Sequence, residues 1–426
     1  MVIYTVKRGD TLFSIANAYG ADIDFLRIWN PVGANDELVV GQSILILQPG
    51  IVHEVKAGDS IYSIAQMHDV TPRQILAYNP NLNGGITPLE VGDKVIVTFD
   101  EQKSYDMRIN GYAYPYIEDE ILAYGLPYLT YLAPFTYGFT PSGTLVPLDD
   151  EKLISTARSY GTLALMHLST LTEEGNFSNE LASALLNDPS ARNALIEASI
   201  SNMREKGYAG IDIDFEFIYP EDAAAYASFI AQMRERANAE GFTVIAALAP
   251  KASATQSGLL YEGHDYAAIG AAANYVFLMT YEWGYTYGPP MAVSPIDSVR
   301  RVLDYAVSEI PPQKIFMGMP NYAYDWILPY KQGETRATLI SNERAVELAR
   351  EYGSEIKFDE RAQTPYFNYY SDGNTHEVWF EDARSVAAKL ALIPEYGFIG
   401  AGYWNMMRRF TQNWMIAATQ YNIVTL

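Results

Sequence analysis

Cysteine is absent from the 426 residues, which excludes disulfides, thiolate metal sites and a cysteine nucleophile. The fold must stand on packing. Histidine is scarce, with five residues, and His53, His68, His167, His264 and His376 show neither i,i+4 nor paired spacing. A histidine-bound hydrolytic metal is therefore not expected, and with no Gly-rich phosphate loop in the chain the reading calls for no cofactor. Positive charge is in short supply too: 29 Lys and Arg face 51 Asp and Glu, a net charge of −22. Such a chain is repelled by nucleic acid and by anionic lipid, so neither is an expected partner. No apolar run is long enough to cross a bilayer, which argues against membrane insertion. The opening MVIYTVKRGD lacks a basic start followed by an apolar stretch, and no secretory signal is read there. Export by an unusual route and release on lysis of a mother cell both stay open.

What the chain does have is apolar material and tyrosine. Hydrophobic residues make up 49% and aromatics 13%, enough for a large core, and the length predicts two or three of them. Tyrosine outnumbers phenylalanine 33 to 17. Most of these rings are ordinary half-buried core, but the surplus of hydroxyls suits clefts that stack on sugars while hydrogen-bonding them.

Self-comparison exposes a repeat. YTVKRGDTLFSIA from Tyr4 matches HEVKAGDSIYSIA from His53, Asn30-Pro31 recurs as Asn79-Pro80, and VVGQSILIL from Val39 recurs as EVGDKVIVT from Glu90. Each copy reads strand, Gly-Asp turn, helix, second helix, strand, giving two β-α-α-β modules over 2–48 and 51–98. Composition turns polar at Asp100–Asp106, the expected linker. The remainder, 105–426, has the size of a (β/α)8 TIM barrel. Eight apolar runs recur between helical patterns: Arg108–Ala113, Tyr128–Phe135, Thr162–Leu168, Ile211–Phe217, Thr243–Leu248, Tyr275–Tyr281, Ile315–Met319 and Gly397–Tyr403. Between the last two, EIKF, PYFNYY and HEVWF around a Ser371–Asn374 turn predict short antiparallel strands, in a small α+β insertion at the barrel mouth.

GYAGIDIDFEFI, Gly207–Ile218, carries the most chemistry. Strand alternation points Asp212, Asp214 and Glu216 to one face and Ile211, Ile213, Phe215 and Phe217 to the other, where they would pack on helices. Three acids then face a barrel interior that branched apolar residues normally fill. The bland alternative is a solvated strand face, but the run ends where barrel strands carry catalytic residues. Glu216, nearest the mouth, is the candidate general acid, with Asp214 raising its pKa by repulsion while sharing a proton.

These features resemble known families. Both repeats resemble the LysM domain, on the Gly9-Asp10-Thr11 and Gly58-Asp59-Ser60 turns, Ile15-Ala16 and Ile64-Ala65, the Asn-Pro pairs, and Gly41-Gln42 and Gly92-Asp93. That resemblance implies binding to N-acetylglucosamine units of peptidoglycan or a chitin-like polymer, in a shallow groove lined by the loops after the first strand and the second helix; two linked copies would gain by effective concentration. The acidic segment resembles the DxxDxDxE signature of glycoside hydrolase family 18, with Ala209 in place of the first Asp. The resemblance implies cleavage of β-1,4 bonds at N-acetylglucosamine with retention, the substrate's own 2-acetamido oxygen acting as nucleophile. Carried over, Glu216 protonates the leaving oxygen and later activates water, Asp214 orients the acetamido group, and Asp212 supports it. Met279-Thr280-Tyr281-Glu282 resembles the family's MxYD, with Tyr281 donating to the acetamido carbonyl, Met279 beside the sugar, and Glu282 replacing the Asp. Asn321-Tyr322 sits at the seventh strand's mouth, and Trp404 stands at the pyranose-stacking floor. Two LysM copies before such a barrel resemble the spore-cortex N-acetylglucosaminidases of spore-forming bacteria, which implies a monomer working in the spore or cell wall. A chitinase, and a glycan-binding protein without catalysis, are the rival readings.

Overall fold

In the computed structural model, residues 1–172 and 175–426 are described. Both repeats fold as strand, helix, helix, strand. In the first, Val2–Thr5 pairs antiparallel with Ser43–Ile46 around helices Leu12–Tyr19 and Ile23–Trp29. In the second, Val52–Glu54 pairs with Lys94–Ile96 around Ile61–Met67 and Pro72–Tyr78.

The repeated residues do local work. Asp10 accepts from the Lys7 amide and the Tyr4 hydroxyl, each at 2.7 Å. Asp59 does the same with the Lys56 amide at 2.8 Å and His53 at 2.9 Å. Thr11 and Ser60 open the first helices as capping boxes with Ser14 and Ser63, which satisfies amides that the helix start leaves free. The Asn of each Asn-Pro pair is a buried clamp: Asn79 donates to the carbonyls of Ile75 and Ile96 and accepts from the Ile96 amide, and Asn30 repeats this with Leu26 and Leu45. Second helix and last strand are thereby tied by one side chain.

The larger part closes into a parallel barrel. Its strands, in chain and spatial order, are Asp106–Ala113, Tyr131–Pro134, Leu163–Ser169, Gly210–Asp214, Thr243–Leu248, Tyr275–Leu278, Ile315–Pro320 and Gly400–Trp404, and the last pairs with the first, Gly402 beside Asn110. Eight were expected and these are they. Alternation sorts their side chains into two layers. Ile211, Ile213, Val244 and Val276 face outward and pack with Phe229, Ile230 and Met233 of helix Ala223–Asn238, while Tyr112, Tyr131, Leu165, Ile245, Phe277 and Phe316 fill the interior.

Several boundaries differ from expectation, the second strand starting at Tyr131 rather than Tyr128 and the eighth at Gly400 rather than Gly397, and two of the differences bear on the site. The fourth strand stops at Asp214 rather than Phe217, and the sixth at Leu278 rather than Tyr281. Phe215 still packs outward, stacked between Phe139, Tyr226 and Phe229. Phe217 does not: its φ of 56° turns the chain back, and its half-exposed ring lies near Phe177 instead of on the helices. The insertion is also larger than three short strands. Lys357–Asp359, Thr364–Ser371 and Asn374–Trp379 are joined by Ala323–Leu328 and Thr338–Ile340 in one five-stranded sheet, with helix Asn342–Glu351 on it. It is an α+β unit.

Both repeats are docked on this body. Val39 enters the insertion's core, the Ile356 amide donates to Val40 at 2.9 Å, and a Cβ on Gly41 would stand 1.8 Å from the Ile356 carbonyl. Arg73 of the second repeat donates to the barrel carbonyls of Pro127, Tyr160 and Gly161 at 3.0, 3.0 and 3.1 Å, and to Leu129.

Replacing Asn79 by alanine leaves the buried Ile96 carbonyl and amide without partners, while the Ile75 carbonyl keeps the backbone amide of residue 79. The expected cost is about 2–4 kcal/mol, read as an earlier transition in denaturant with the slope unchanged. A variant as stable as the parent would remove the clamp from this role.

Candidate active site

At the C-terminal mouth of the barrel lies a cavity of about 530 Å³. Asp214, Glu216, Met279, Tyr281, Glu282 and Trp404 reach it from the fourth, sixth and eighth strands. The structure thus brings six of the nine expected site residues into one cavity. Asp212 lies one pleat below, fully buried, and its carboxylate accepts from the Tyr112 hydroxyl at 2.6 Å. Tyr322 is buried behind the wall and donates to Glu282, joined by Tyr324 at 3.2 Å. Asn321 does not reach the cavity. It is buried, and its amide holds the Asn405 and Arg408 carbonyls at 2.8 and 3.0 Å, which fixes the turn behind Trp404.

The strand that carries the acids is held at its exit. His264 accepts from the Ala249 amide at 2.9 Å, so its other nitrogen donates to the Phe215 carbonyl at 3.0 Å; burial pushes its pKa down, keeping the ring neutral. Glu216 follows directly and is aimed inward. Neighbouring strands yield space: a Cβ on Gly318 would lie 2.4 Å from the Leu278 carbonyl and 2.9 Å from the Tyr281 ring, and one on Gly402 would strike Phe277 at 2.4 Å. Trp404 is wedged by Phe135, Tyr112 and Tyr114 at 4.8, 5.8 and 6.0 Å between ring centroids, leaving a face for a flat apolar ring. Leu171, Phe177, Pro250, Leu260, Tyr261 and Trp283 complete the rim.

The electrostatics are one-sided. Burial raises Glu216 well above the ordinary carboxylate range, and the charges of Asp214 and Glu282 add to it. Burial pushes Asp212 up to about 6 against the pull of His167 and Tyr112. Burial raises Glu282, opposed by its two tyrosine donors. Tyr281 is raised too, by burial and then by Asp214 and Glu216, and so remains a hydrogen-bond donor. One oxygen each of Asp212 and Asp214 is buried without a partner. A carboxyl whose proton is held in this way can serve as a general acid. Among the described residues no cluster of His, Asp and Glu has metal-ligand geometry.

Sequence reasoning missed Tyr112, Tyr114, Phe135, His167 and Trp283. Tyr112 and His167 carried a signal, as polar-tipped side chains at inward positions of apolar strands. Phe135 and Trp283 lie past strand ends, where alternation no longer assigns a face.

Known families and proteins match both parts of the chain. The model of Glycosyl hydrolases family 18 matches residues 133–408, and the LysM domain model matches 4–47 and 53–98. The chain is 40% identical to a cortical fragment-lytic enzyme of Bacillus subtilis (strain 168), covering 100% of this chain and 99% of that one. The crystal structure of the Bacillus megaterium QM B1551 spore cortex-lytic enzyme SleL superposes with a TM-score of 0.84 at 39% identity, covering 100% and 99% of the two chains. A chitinase from Chromobacterium violaceum is more distant, at 26% identity and a TM-score of 0.68 over 74% of this chain and 98% of its own.

Because Asp212 is buried and its acid is weakened to about pKa 6, its ionisation opposes folding. The penalty is absent below pH about 4, grows as pH rises, and is complete above pH about 6–7. Asp212→Asn, which keeps an acceptor for Tyr112, is expected to stabilise the protein by on the order of 2–3 kcal/mol at pH 7 and by nothing at pH 4. Unfolding curves at the two pH values check this; equal effects at both would contradict it.

Proposed function

The chain belongs to the glycosyl hydrolases of family 18, and from that premise we propose that it cleaves β-1,4 bonds at N-acetylglucosamine in fragments of spore-cortex peptidoglycan, by a retaining and substrate-assisted route. The observation that carries the reading is the pairing of Glu216 with Asp214 in one cavity floored by Trp404. Glu216, kept protonated by burial and by its neighbours' charge, gives its proton to the leaving glycosidic oxygen. The 2-acetamido oxygen then closes on the anomeric carbon. Asp214 orients the acetamido N–H and stabilises the oxazolinium cation, while Tyr281 donates to the acetamido carbonyl. The resulting glutamate activates the water that opens the ring, and configuration at the anomeric carbon is retained.

Trp404, beside Tyr114, is the stacking surface for the sugar ring. Glu282, fixed by Tyr322 and Tyr324, serves as a polar contact to the sugar and as part of the field that raises Glu216. The choice of polymer rests on whole-length similarity to the cortical fragment-lytic enzyme of Bacillus subtilis. The two LysM domains hold N-acetylglucosamine-containing glycan, and the enzyme works as a monomer in the spore or cell wall.

Glu216→Gln removes the acid at constant shape. Turnover of cortex fragments is expected to fall at least about a hundredfold, with retention on insoluble peptidoglycan unchanged; near-normal turnover would take Glu216 out of its role. Digestion of purified cortex peptidoglycan and of chitin in parallel, with product masses read, tests polymer and bond together. Release of N-acetylglucosamine-ended muropeptides is expected, and a clear preference for chitin would replace the proposed substrate.

A further inference from the structure

Among the described residues, the acids grouped around the cavity have one partner at ion-pair distance. His167, on the third barrel strand and 1% exposed, sits in register with Asp212. Its Nε2 stands 3.5 Å from a carboxylate oxygen of Asp214, within ion-pair range but past hydrogen-bond length. Its Nδ1 is 2.6 Å from the Thr136 hydroxyl. The Phe135 and Tyr112 rings pack on it at 4.7 and 5.5 Å. From the elements around it His167 faces Asp212, Asp214 and Tyr112, with Thr136 and Ser169 linked at 3.0 Å beyond. Among the described residues no lysine or arginine pairs with Asp212, Asp214, Glu216 or Glu282, and the His167 contact is the one ion pair any of them makes.

The proposed chemistry needs unequal carboxyls. Asp214 must be an anion to face a cationic intermediate, and Glu216 must hold a proton. Two adjacent acids in a buried site do not settle that assignment themselves, since each resists ionisation of the other. An imidazole touching Asp214 and not Glu216 breaks the tie.

Building on the proposed roles of Asp214 and Glu216, we infer that His167 is a positioning residue whose ring, anchored by Thr136, supplies the countercharge that keeps Asp214 ionised and held toward the third strand. It touches neither the scissile bond nor the leaving group. Its effect reaches catalysis through Asp214, and through Asp214 it reaches the proton on Glu216.

The pH profile of the full-length enzyme on purified peptidoglycan fragments separates this role from packing. Without the imidazole, Asp214 takes up its proton at higher pH. The acid limb of kcat, where activity disappears as pH falls, is therefore expected to move up by about one pH unit in His167→Gln, a tenfold change in the proton affinity of Asp214. The alkaline limb, set by Glu216, stays within a few tenths of a unit, and KM within twofold. Thr136→Val leaves the ring in place but unanchored, and is expected to shift the same limb upward by less. An acid limb unmoved in both variants overturns the inference, whether turnover is unchanged or lowered equally at every pH. Should His167→Gln fail to fold, the Thr136→Val profile decides alone. Measuring Glu216→Gln alongside keeps the two readings apart: an inactive Glu216→Gln with an unshifted His167→Gln defeats only the role of His167, whereas an active Glu216→Gln defeats the acid assignment beneath it.

Discussion

The structure depends on keeping a column of carboxyls inside a barrel. Asp212 and Asp214 are buried, Glu216 is half-buried and lines the cavity, and the surrounding interior is filled with aromatic and branched side chains. Moving a carboxylate from water into such surroundings costs several kcal/mol even after relaxation. The chain meets that cost with few devices: the Tyr112 hydroxyl on Asp212, the His167 ring near Asp214, and retained protons on the acids that burial has weakened. What makes the column expensive to fold makes it chemically useful, because an acid that resists ionisation is a donor near neutral pH.

Much of the surrounding architecture serves to hold the column in place. The outward residues of the fourth strand are large and fully buried, and Phe215 sits in a stack of three aromatic rings, so the strand cannot rotate its acids out without emptying that stack. His264 grips the Phe215 carbonyl from outside. On the opposite side, Gly318 and Gly402 give up their side chains so that Tyr281 and Phe277 come close to neighbouring backbones. A methyl group at either position would push the wall of the cavity rather than its rim.

The strands and the acids were legible because both obey a period of two. Eight apolar runs announced eight strands, and Asp212, Asp214 and Glu216 fell on one face although the hydrogen-bonded strand ends between the last two. Legibility failed where the chain leaves regular structure. Phe217 obeys no alternation once its φ turns positive, and Asn321, one residue beyond its strand, turns from the cavity to clamp a loop. The extra strands of the insertion were hidden for a different reason: Ala323–Leu328 follows directly on a barrel strand, so its apolar pattern reads as a continuation. His167 was visible as a polar interruption in ALMHLS, but its meaning needed the third and fourth strands side by side.

The repeats raise a question of geometry that sequence alone answers differently. Two glycan-binding modules before an enzyme suggest beads on a linker, whose benefit is a concentration set by linker length. Here neither module hangs free. Gly41 lies so close to the Ile356 carbonyl that no side chain fits, and the second repeat's Gly84 meets the Ala123 carbonyl just as tightly while Tyr160 donates to its oxygen at 2.6 Å. Arg73 spends its guanidinium on barrel carbonyls with no carboxylate in return, a contact a loosely tethered domain would have no reason to bury. The distance and angle between each repeat and the cavity are then fixed by the fold.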